Sequence, residues 1–291
     1  VTLEQLRVFV AVAEREHVTE AARTLNLTQS AVSNALAALE ARHGLRLFDR
    51  VGRGVSLNAV GRAFLPEARA VLSRARAAEA TLTDLAGLRR GRLAVFASQT
   101  IASYWLPTRL TAFHRAHPGI ELDVSVGNTR EAARAVLDGE AEIGLVEGEV
   151  DDPALLQQVI GSDRLAVITA PDHPWAKTAR LERAGLIASP WVLREPGSGT
   201  RASLEAALAA VGVDAADLQV AMTLPSNEAV LAAAEAGAGA TALSLSVAQA
   251  SLSAGRLVAA PFDLPPRDYR LLRHRERYCT RAGDAFVDAI A

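Results

Sequence analysis

Five short polar side chains, Thr28, Gln29, Ser30, Ser33 and Asn34, crowd one stretch near the start of the chain. Hydroxyl and amide groups of this size can donate to and accept from base edges, and at the exposed start of a helix they suit the major groove of double-stranded DNA. A little further on, Arg50 and Arg53 alternate with Gly52 and Gly54. Guanidinium groups on a glycine-rich tip suit phosphate or the minor groove, which adds salt-dependent affinity without sequence information. A solvent-washed helical hairpin would carry the same polar residues with no DNA partner.

A second set is spread over the rest of the chain: Ser98, Gln99 and Thr100, then Asn128 and Thr129, Glu147, the run Gly197-Ser198-Gly199-Thr200, and Ser226 with Asn227. Hydroxyls, amides and glycine-freed backbone at several helix starts would hold a small polar, anionic molecule. Each run also has a plainer use. Ser98 and Thr100 can cap a helix, Pro196-Gly197-Ser198-Gly199 can be a turn, and Arg201 can pair with Glu195 or Glu205. Glu147 suits an orienting or gating role better than contact with an anion. The runs are worth more together, because each falls beyond the carboxyl end of an expected strand or at the start of an expected helix, where open α/β folds bind ligands.

The residues do not assemble a catalytic apparatus. The second half offers His114, His117, His173 and His274 as imidazoles. His114 and His117 sit where a helix ends before Pro118, so the helix dipole accounts for them, and as a metal pair they lack a carboxylate or cysteine companion. Ser198 is outside any nucleophile-elbow pattern, and its loop lacks the lysine of a phosphate-cradling P-loop. No catalytic residue, metal or cofactor is therefore expected. Cys279, the single cysteine, excludes an internal disulfide framework and fits a reducing compartment. No apolar run approaches the roughly 20 residues of a membrane span, so a cytoplasmic protein without a membrane partner is expected.

Elements must hold these residues in place. Over Val18 to Glu40, VTEAARTLNLTQSAVSNALAALE reads as two short helices joined by a tight turn. Ala21, Ala22 and Leu25 allow a close crossing, Asn26 can adopt the left-handed backbone that ends a helix, and Thr28 can cap the next. Val32, Leu36 and Leu39 form its apolar stripe, which leaves the polar set facing outward. Leu3, Leu6, Phe9, Val10 and Ala13 predict a preceding amphipathic helix that completes a three-helix core. Leu45 to Asn58 predicts a β-hairpin with its basic tip at Arg50 to Gly54, a wing. From Ala59 to Leu88 follows one helix with Leu65, Ala68, Leu72, Ala75 and Leu82 at coiled-coil spacing. That seam fits a second copy of the chain; because Glu79 interrupts it, a helix lying on its own domain is the other reading. Arg89, Arg90 and Gly91 form a hinge. Strands and helices then alternate as in α/β domains: strand 92–97, helix 106–114, strand 120–126, helix 130–137 and strand 143–147 in one unit. A second unit runs from Leu165 through Trp191 to Leu193, with helix 203–210, strand 218–223, helix 227–236 and a strand near 242–245. Tyr269 to Arg273 would return a strand to the first unit, and Gly283 to Ile290 would close it with a helix.

Residues 2 to 65, carrying LEQLRVFVAVAE, AARTLNLTQSAVSNALAALE, LRLFDR and SLNAVGRAFL in order, resemble the winged helix-turn-helix of LysR-type transcriptional regulators. Asn34 stands where that family often has arginine, and Asn58 where it commonly has threonine. The later lobes resemble the same family's effector domain, itself shaped like a periplasmic solute-binding protein. The resemblance implies a mixed α/β chain with a winged helix-turn-helix at 1–58, a dimerising linker helix and hinge at 59–90, and a two-lobed effector domain at 91–291. Lobe one would be 91–164 plus 266–291, and lobe two 165–265. It also implies a homodimer or homotetramer, with RNA polymerase as a further partner. SQTIASYWLP, GNT, GLVEG, LREPGSGTR and SNEAV are similar to the branch associated with sulfur assimilation and carbon fixation, which implies a small anionic effector such as a sulfur oxyanion.

Composition agrees with this division. With 291 residues, half of them apolar, the chain can bury more than one core. Residues 1–90 hold 13 Arg against 9 Asp plus Glu, a charge of +4, so 91–291 carry −6 of the net −2. A basic head on an acidic body suits a protein that holds DNA by one end. The competing reading is a small-molecule binding protein or enzyme whose N-terminal helices only oligomerise. Duplex affinity measured over a salt series separates the two. A DNA-binding head loses roughly 0.9 log units of affinity per log unit of salt for each phosphate contact, and replacing Arg50 and Arg53 with alanine flattens the slope; an unchanged slope favours the competing reading.

Overall fold

A computed structural model of the chain describes residues 1–52, 54–85 and 91–290. Arg53 and the expected hinge residues Arg89 and Arg90 lie outside the described residues. The chain forms two compact units, Val1–Gly87 with Asp138–Glu140, and Leu88–Leu137 with Ala141–Ala291.

The first unit begins with α1 (Leu3–Arg15), whose start is fixed by a capping box in which Thr2 and Gln5 satisfy each other's backbone amides. Helix α2 (Val18–Leu25) ends on Asn26 in the left-handed conformation, φ 54°, and α3 (Gln29–His43) starts from Thr28, whose hydroxyl accepts from Ala31 N–H at 3.2 Å. Strands β1 (Phe48–Val51) and β2 (Gly54–Leu57) pair antiparallel around Gly52, and α4 (Ala59–Leu85) follows. Leu6, Phe9, Val12, Ala21, Val32, Leu36 and Leu39 fill one core with Leu47 and Leu57 from the hairpin. Phe9 sits at its centre, 5.6 Å from the Phe48 ring and 5.1 Å from Phe64.

Two expectations for this unit change. Leu3, expected on the buried face of α1, is 49% exposed, and Val8, Ala11 and Val12 are buried instead. Helix α1 is packed by α2, α3 and α4 together, so its buried arc is wider and turned from the one its sequence period suggests. On α4, Ala68 and Leu72 of the expected seam enter this same core, whereas Leu82 is 69% exposed. The first turns of the seam therefore lie on their own head.

The second unit holds two lobes. In the first, β3 (Gly91–Ser98) leads through a π-helical turn at Ile101–Trp105 into α5 (Leu106–Ala116), then β4 (Ile120–Gly127), α6 (Thr129–Asp138), β5 (Ile143–Glu147) and β6 (Leu155–Asp163). The chain crosses to β7 (Leu165–Thr169), α7 (Arg183–Ala188), β8 (Pro190–Arg194), α8 (Gly199–Ala210), β9 (Gln219–Leu224), α9 (Asn227–Glu235), β10 (Thr241–Ser244), α10 (Leu245–Ser253) and β11 (Val258–Ala259). It returns as β12 (Arg267–His274) and α11 (Arg281–Ile290). The first lobe is a five-stranded sheet ordered β4-β3-β5-β12-β6, parallel where β3 meets β4 and β5 and antiparallel on both sides of β12. The second lobe has β10-β7-β11 and β8-β9.

Strand β6 and helices α7 and α10 have no counterpart in the sequence reading. Along β6 the pairing with β12 shifts between Tyr269 and Arg270, which passes over Ile160 and breaks the two-residue alternation that marks a strand. Helix α8 starts at Gly199, four residues before the expected Ser203, because its first turn is glycine and hydroxyl residues rather than apolar ones. No helix among the described residues is long and apolar enough to cross a membrane.

Gly61 on α4 sets the fit of the hairpin: a methyl there would lie 2.3 Å from Leu47 O and 2.6 Å from Leu57 Cδ1. Gly61→Ala is expected to destabilise the head by about 1 to 3 kcal/mol despite alanine's better helix propensity, read as a lowered urea midpoint.

Candidate functional site

In the first unit the candidate groups follow from how α3 is held. Val32, Leu36 and Leu39 are buried, so Gln29, Ser30, Ser33 and Asn34 are turned to solvent from the opposite arc. Thr28 is partly committed, since it caps the helix and its Oγ1 lies 3.0 Å from Ser30 Oγ. Arg50 is exposed on β1 opposite Val55; Arg53 is not among the described residues. Asn58 works at the base of the wing: its Nδ2 donates to Arg46 O and its Oδ1 accepts from Gly61 N–H, each at 2.9 Å, which caps α4.

In the second unit the candidate residues from the two lobes meet. Asn227, fully buried at the start of α9, donates from Nδ2 to Thr100 Oγ1 at 3.2 Å, and its N–H donates to Gln99 Oε1 at 3.1 Å. Gln99 in turn donates to Pro225 O at 2.8 Å. Ser226 is the cap of α9, accepting from Ala229 N–H at 3.0 Å. On the other side, Asn128 and Glu131 form the cap of α6 through reciprocal bonds of 2.9 and 3.0 Å, and Asn128 Nδ2 reaches Glu195 Oε1 at 3.3 Å. Thr129 Oγ1 donates to Glu147 Oε2 at 3.2 Å. Gly199 is pressed against these two residues: a Cβ there would be 2.8 Å from both Glu147 O and Thr129 Oγ1, a closeness only glycine allows. Gly197, at φ 101°, needs glycine for its backbone and accepts from Arg130 N–H at 3.2 Å. Ser198 is buried beside them without a side-chain bond to the helix start. Ser98 Oγ is buried with no hydrogen-bond partner.

The sequence reading missed the charges that frame this junction. Arg194 at the end of β8 is 4% exposed; it donates from Nε and Nη2 to Glu195 at 2.8 and 2.9 Å, and from Nη1 to Asn227 Oδ1. Arg267 donates to Asp163 Oδ2 from Nε and Nη2 at 3.1 and 2.7 Å, and to Thr200 Oγ1 from Nη1 at 3.0 Å. Glu147 stands 3.9 Å from the same guanidinium. The available signal was an arginine just after Pro265-Pro266 and an Arg-Glu pair closing a strand, neither distinctive in isolation. Arg201 takes one of its two expected partners, Glu205 at 2.6 Å.

Burial and the charge of Asp163 hold the Tyr269 hydroxyl well above the usual phenol range. Burial by itself would raise Glu195, but the hydrogen bonds and charge of Arg194 outweigh it and leave the carboxyl below its usual value. Away from the junction, burial pushes the Cys279 thiol up to about 12, despite Arg273 Nη1 at 2.9 Å, so it is a poor nucleophile. The His117 ring stacks 4.7 Å from Phe113 at the end of α5, and His173 Nδ1 accepts from Trp175 N–H. Among the described residues no group of three or more His, Cys, Asp or Glu is placed to hold a metal ion.

Comparison with known proteins covers both units. Residues 86–291 match the family model described as the LysR substrate binding domain, and residues 3–62 the one described as a bacterial regulatory helix-turn-helix protein of the lysR family. The chain is 35% identical over 291 residues to the uncharacterized HTH-type transcriptional regulator YeiE of Escherichia coli strain K12, covering 99% of this chain and 96% of that protein. It is 32% identical over 292 residues to the RuBisCO operon transcriptional regulator of Allochromatium vinosum, covering 100% and 95%. Among solved structures, the CcmR regulatory domain of Synechocystis PCC6803 in complex with 2-PG superposes with a TM-score of 0.62 at 26% identity, covering 69% of this chain and 96% of that one.

Glu195 gives the junction a pH signature. Its folded-state pKa lies below the usual carboxylate value near 4.5, so the stability it contributes is present above that value and lost as pH falls through the folded one. Urea unfolding between pH 6 and about pH 3 is expected to show this loss in the native chain, and Glu195→Gln is expected to remove that part of the acid dependence.

Proposed function

The chain belongs to the LysR family of transcriptional regulators, and from that premise we propose that it binds promoter DNA as a dimer or tetramer and changes its engagement when a small oxyanion binds between the effector lobes. Its family and relatives are regulators rather than enzymes. Gln29, Ser30, Ser33 and Asn34 read base edges from α3, Thr28 holds the start of that helix, and Arg50 with Arg53 takes phosphate. The division follows the wing and the crossovers: head 1–58, linker and hinge 59–90, effector domain 91–291, with lobe one at 91–164 plus 266–291 and lobe two at 165–265. A cytoplasmic location and contact with RNA polymerase belong to the same reading.

One observation carries the effector assignment. Asn227 Nδ2 donates to Thr100 Oγ1, which leaves the Thr100 hydroxyl proton to be given away, and Ser98 Oγ is buried with no partner at all. Nearby acceptors are engaged, Glu195 by Arg194 and Glu147 by Thr129. A surplus of buried donors calls for a ligand rich in acceptors, and the start of α8, where Ser198 makes no side-chain cap bond, adds free amides. A sulfur oxyanion such as sulfite or sulfate is the first candidate. That the CcmR domain, similar over this same region, was solved with 2-PG supports placing a small ligand in this domain.

Regulation then works by exchange. A ligand that replaces interlobe hydrogen bonds changes the angle between lobes, and through paired linker helices the spacing of two heads. A coupling of 1 to 3 kcal/mol shifts affinity about 5- to 150-fold. Thermal unfolding of the full chain against sulfite, sulfate and other small oxyanions tests the site. A concentration-dependent rise in midpoint is expected, abolished in Thr100→Ala and Ser98→Ala; a rise that survives both substitutions places the ligand elsewhere.

A further inference from the structure

Glu16 ends α1 in the left-handed region at φ 48°, yet its hydrogen bonds go to the wing. Its main-chain oxygen accepts from Val55 N–H at 3.2 Å. Its carboxylate Oε1 accepts from Leu57 N–H and from Ser56 Oγ, each at 2.9 Å. Val55 and Leu57 are two residues apart, so their N–H groups leave the same edge of β2, and β1 covers the other edge. One residue thus supplies the two acceptors that a third strand would. Gly54 leaves room for the approach, since a Cβ there would sit 3.3 Å from Glu16 O, closer than side chains ordinarily pack.

A hairpin of two four-residue strands is marginal in water, and its tip cannot hold a fixed direction unsupported. The base of the wing is tied by Asn58 N–H to Leu47 O at 3.1 Å and Asn58 Nδ2 to Arg46 O. Glu16 ties the strand nearer the tip, directly opposite Arg50 across the Arg50–Val55 pair. We propose that Glu16 is a positioning residue for DNA binding: by pairing the free edge of β2 it aims the wing so that Arg50 reaches phosphate. This rests on the head binding DNA.

The sign of the effect separates this role from charge alone. A carboxylate that merely stood near DNA would repel phosphate, and removing it would tighten binding. A positioning carboxylate does the opposite when lost. The full chain is titrated into a labelled 30-base-pair duplex of random sequence over a salt series, comparing Glu16→Ala, Glu16→Gln, Arg50→Ala and the double variant Glu16→Ala with Arg50→Ala. Glu16→Ala is expected to weaken binding and flatten the salt slope by about 0.9, one phosphate contact, while Glu16→Gln, which keeps an acceptor oxygen, retains most of it. In the Arg50→Ala background, Glu16→Ala is expected to cost clearly less, at most what Arg53 on the same tip contributes. Equal or tighter binding by Glu16→Ala overturns the proposal. So does an equal loss in both backgrounds, which would place the effect away from Arg50. A native chain with no salt-dependent affinity would instead remove the DNA-binding reading itself, and this inference with it.

Discussion

A single buried carboxylate, Asp163, joins the two effector lobes. Its Oδ1 accepts from Ser244 Oγ and Arg164 N–H, each at 2.8 Å, and its Oδ2 takes Nε and Nη2 of Arg267. Asp163 ends the strand that leaves the first lobe, Arg267 opens the strand that returns to it, and Ser244 ends a strand of the second lobe. Both crossovers and one lobe end therefore share one side chain. Removing a charged group from water costs several kcal/mol, and the pair is tolerable because both carboxylate oxygens and all three guanidinium nitrogens have partners. Stranding either partner costs about 3 to 5 kcal/mol, a large share of the 5 to 15 that hold a typical domain together.

The strength of this pivot gives meaning to the weaker bonds around it. Asn227 to Thr100, Asn227 to Gln99 and Asn128 to Glu195 cross between the lobes; the two neutral bonds contribute roughly 0.5 to 1.5 kcal/mol each and the one to the Glu195 carboxylate about 1.5 to 3. A ligand of modest affinity can replace them, but it cannot displace Arg267 from Asp163. The junction thus separates a fixed axis from an exchangeable set of contacts, as hinged binding requires.

How much of this was legible in the sequence depended on the range of the interaction. Caps and turns are local, so Thr28, Asn26 and the wing around Gly52 could be read from residue type and neighbours. The candidate loops met across the junction because strand ends and helix starts fix where they lie. The α4 seam was half legible: periodicity identifies an apolar stripe but not what covers it, and Ala68 and Leu72 turned out to lie on their own head. Strand β6 was lost because a bulge broke its alternation. Asp163 and Arg267 are 104 residues apart, and no short-range pattern links them. Glu16 was invisible for the same reason, its partners lying some 40 positions away.

The charges at the junction also constrain how an anion could be held. Arg194 and Arg267 face Glu195, Asp163 and Glu147, a formal balance of −1 among these five groups, and both of these guanidiniums are occupied by a carboxylate. These five groups therefore offer an anion no net attraction. Recognition falls to neutral donors at short range, the hydroxyls of Ser98 and Thr100 and the free amides at the start of α8. Such donors act within hydrogen-bond distance and discriminate by size and geometry. They suit a small oxyanion that several groups can surround at once, and with Arg194 and Arg267 already occupied they offer less to a larger ligand carrying several separated charges.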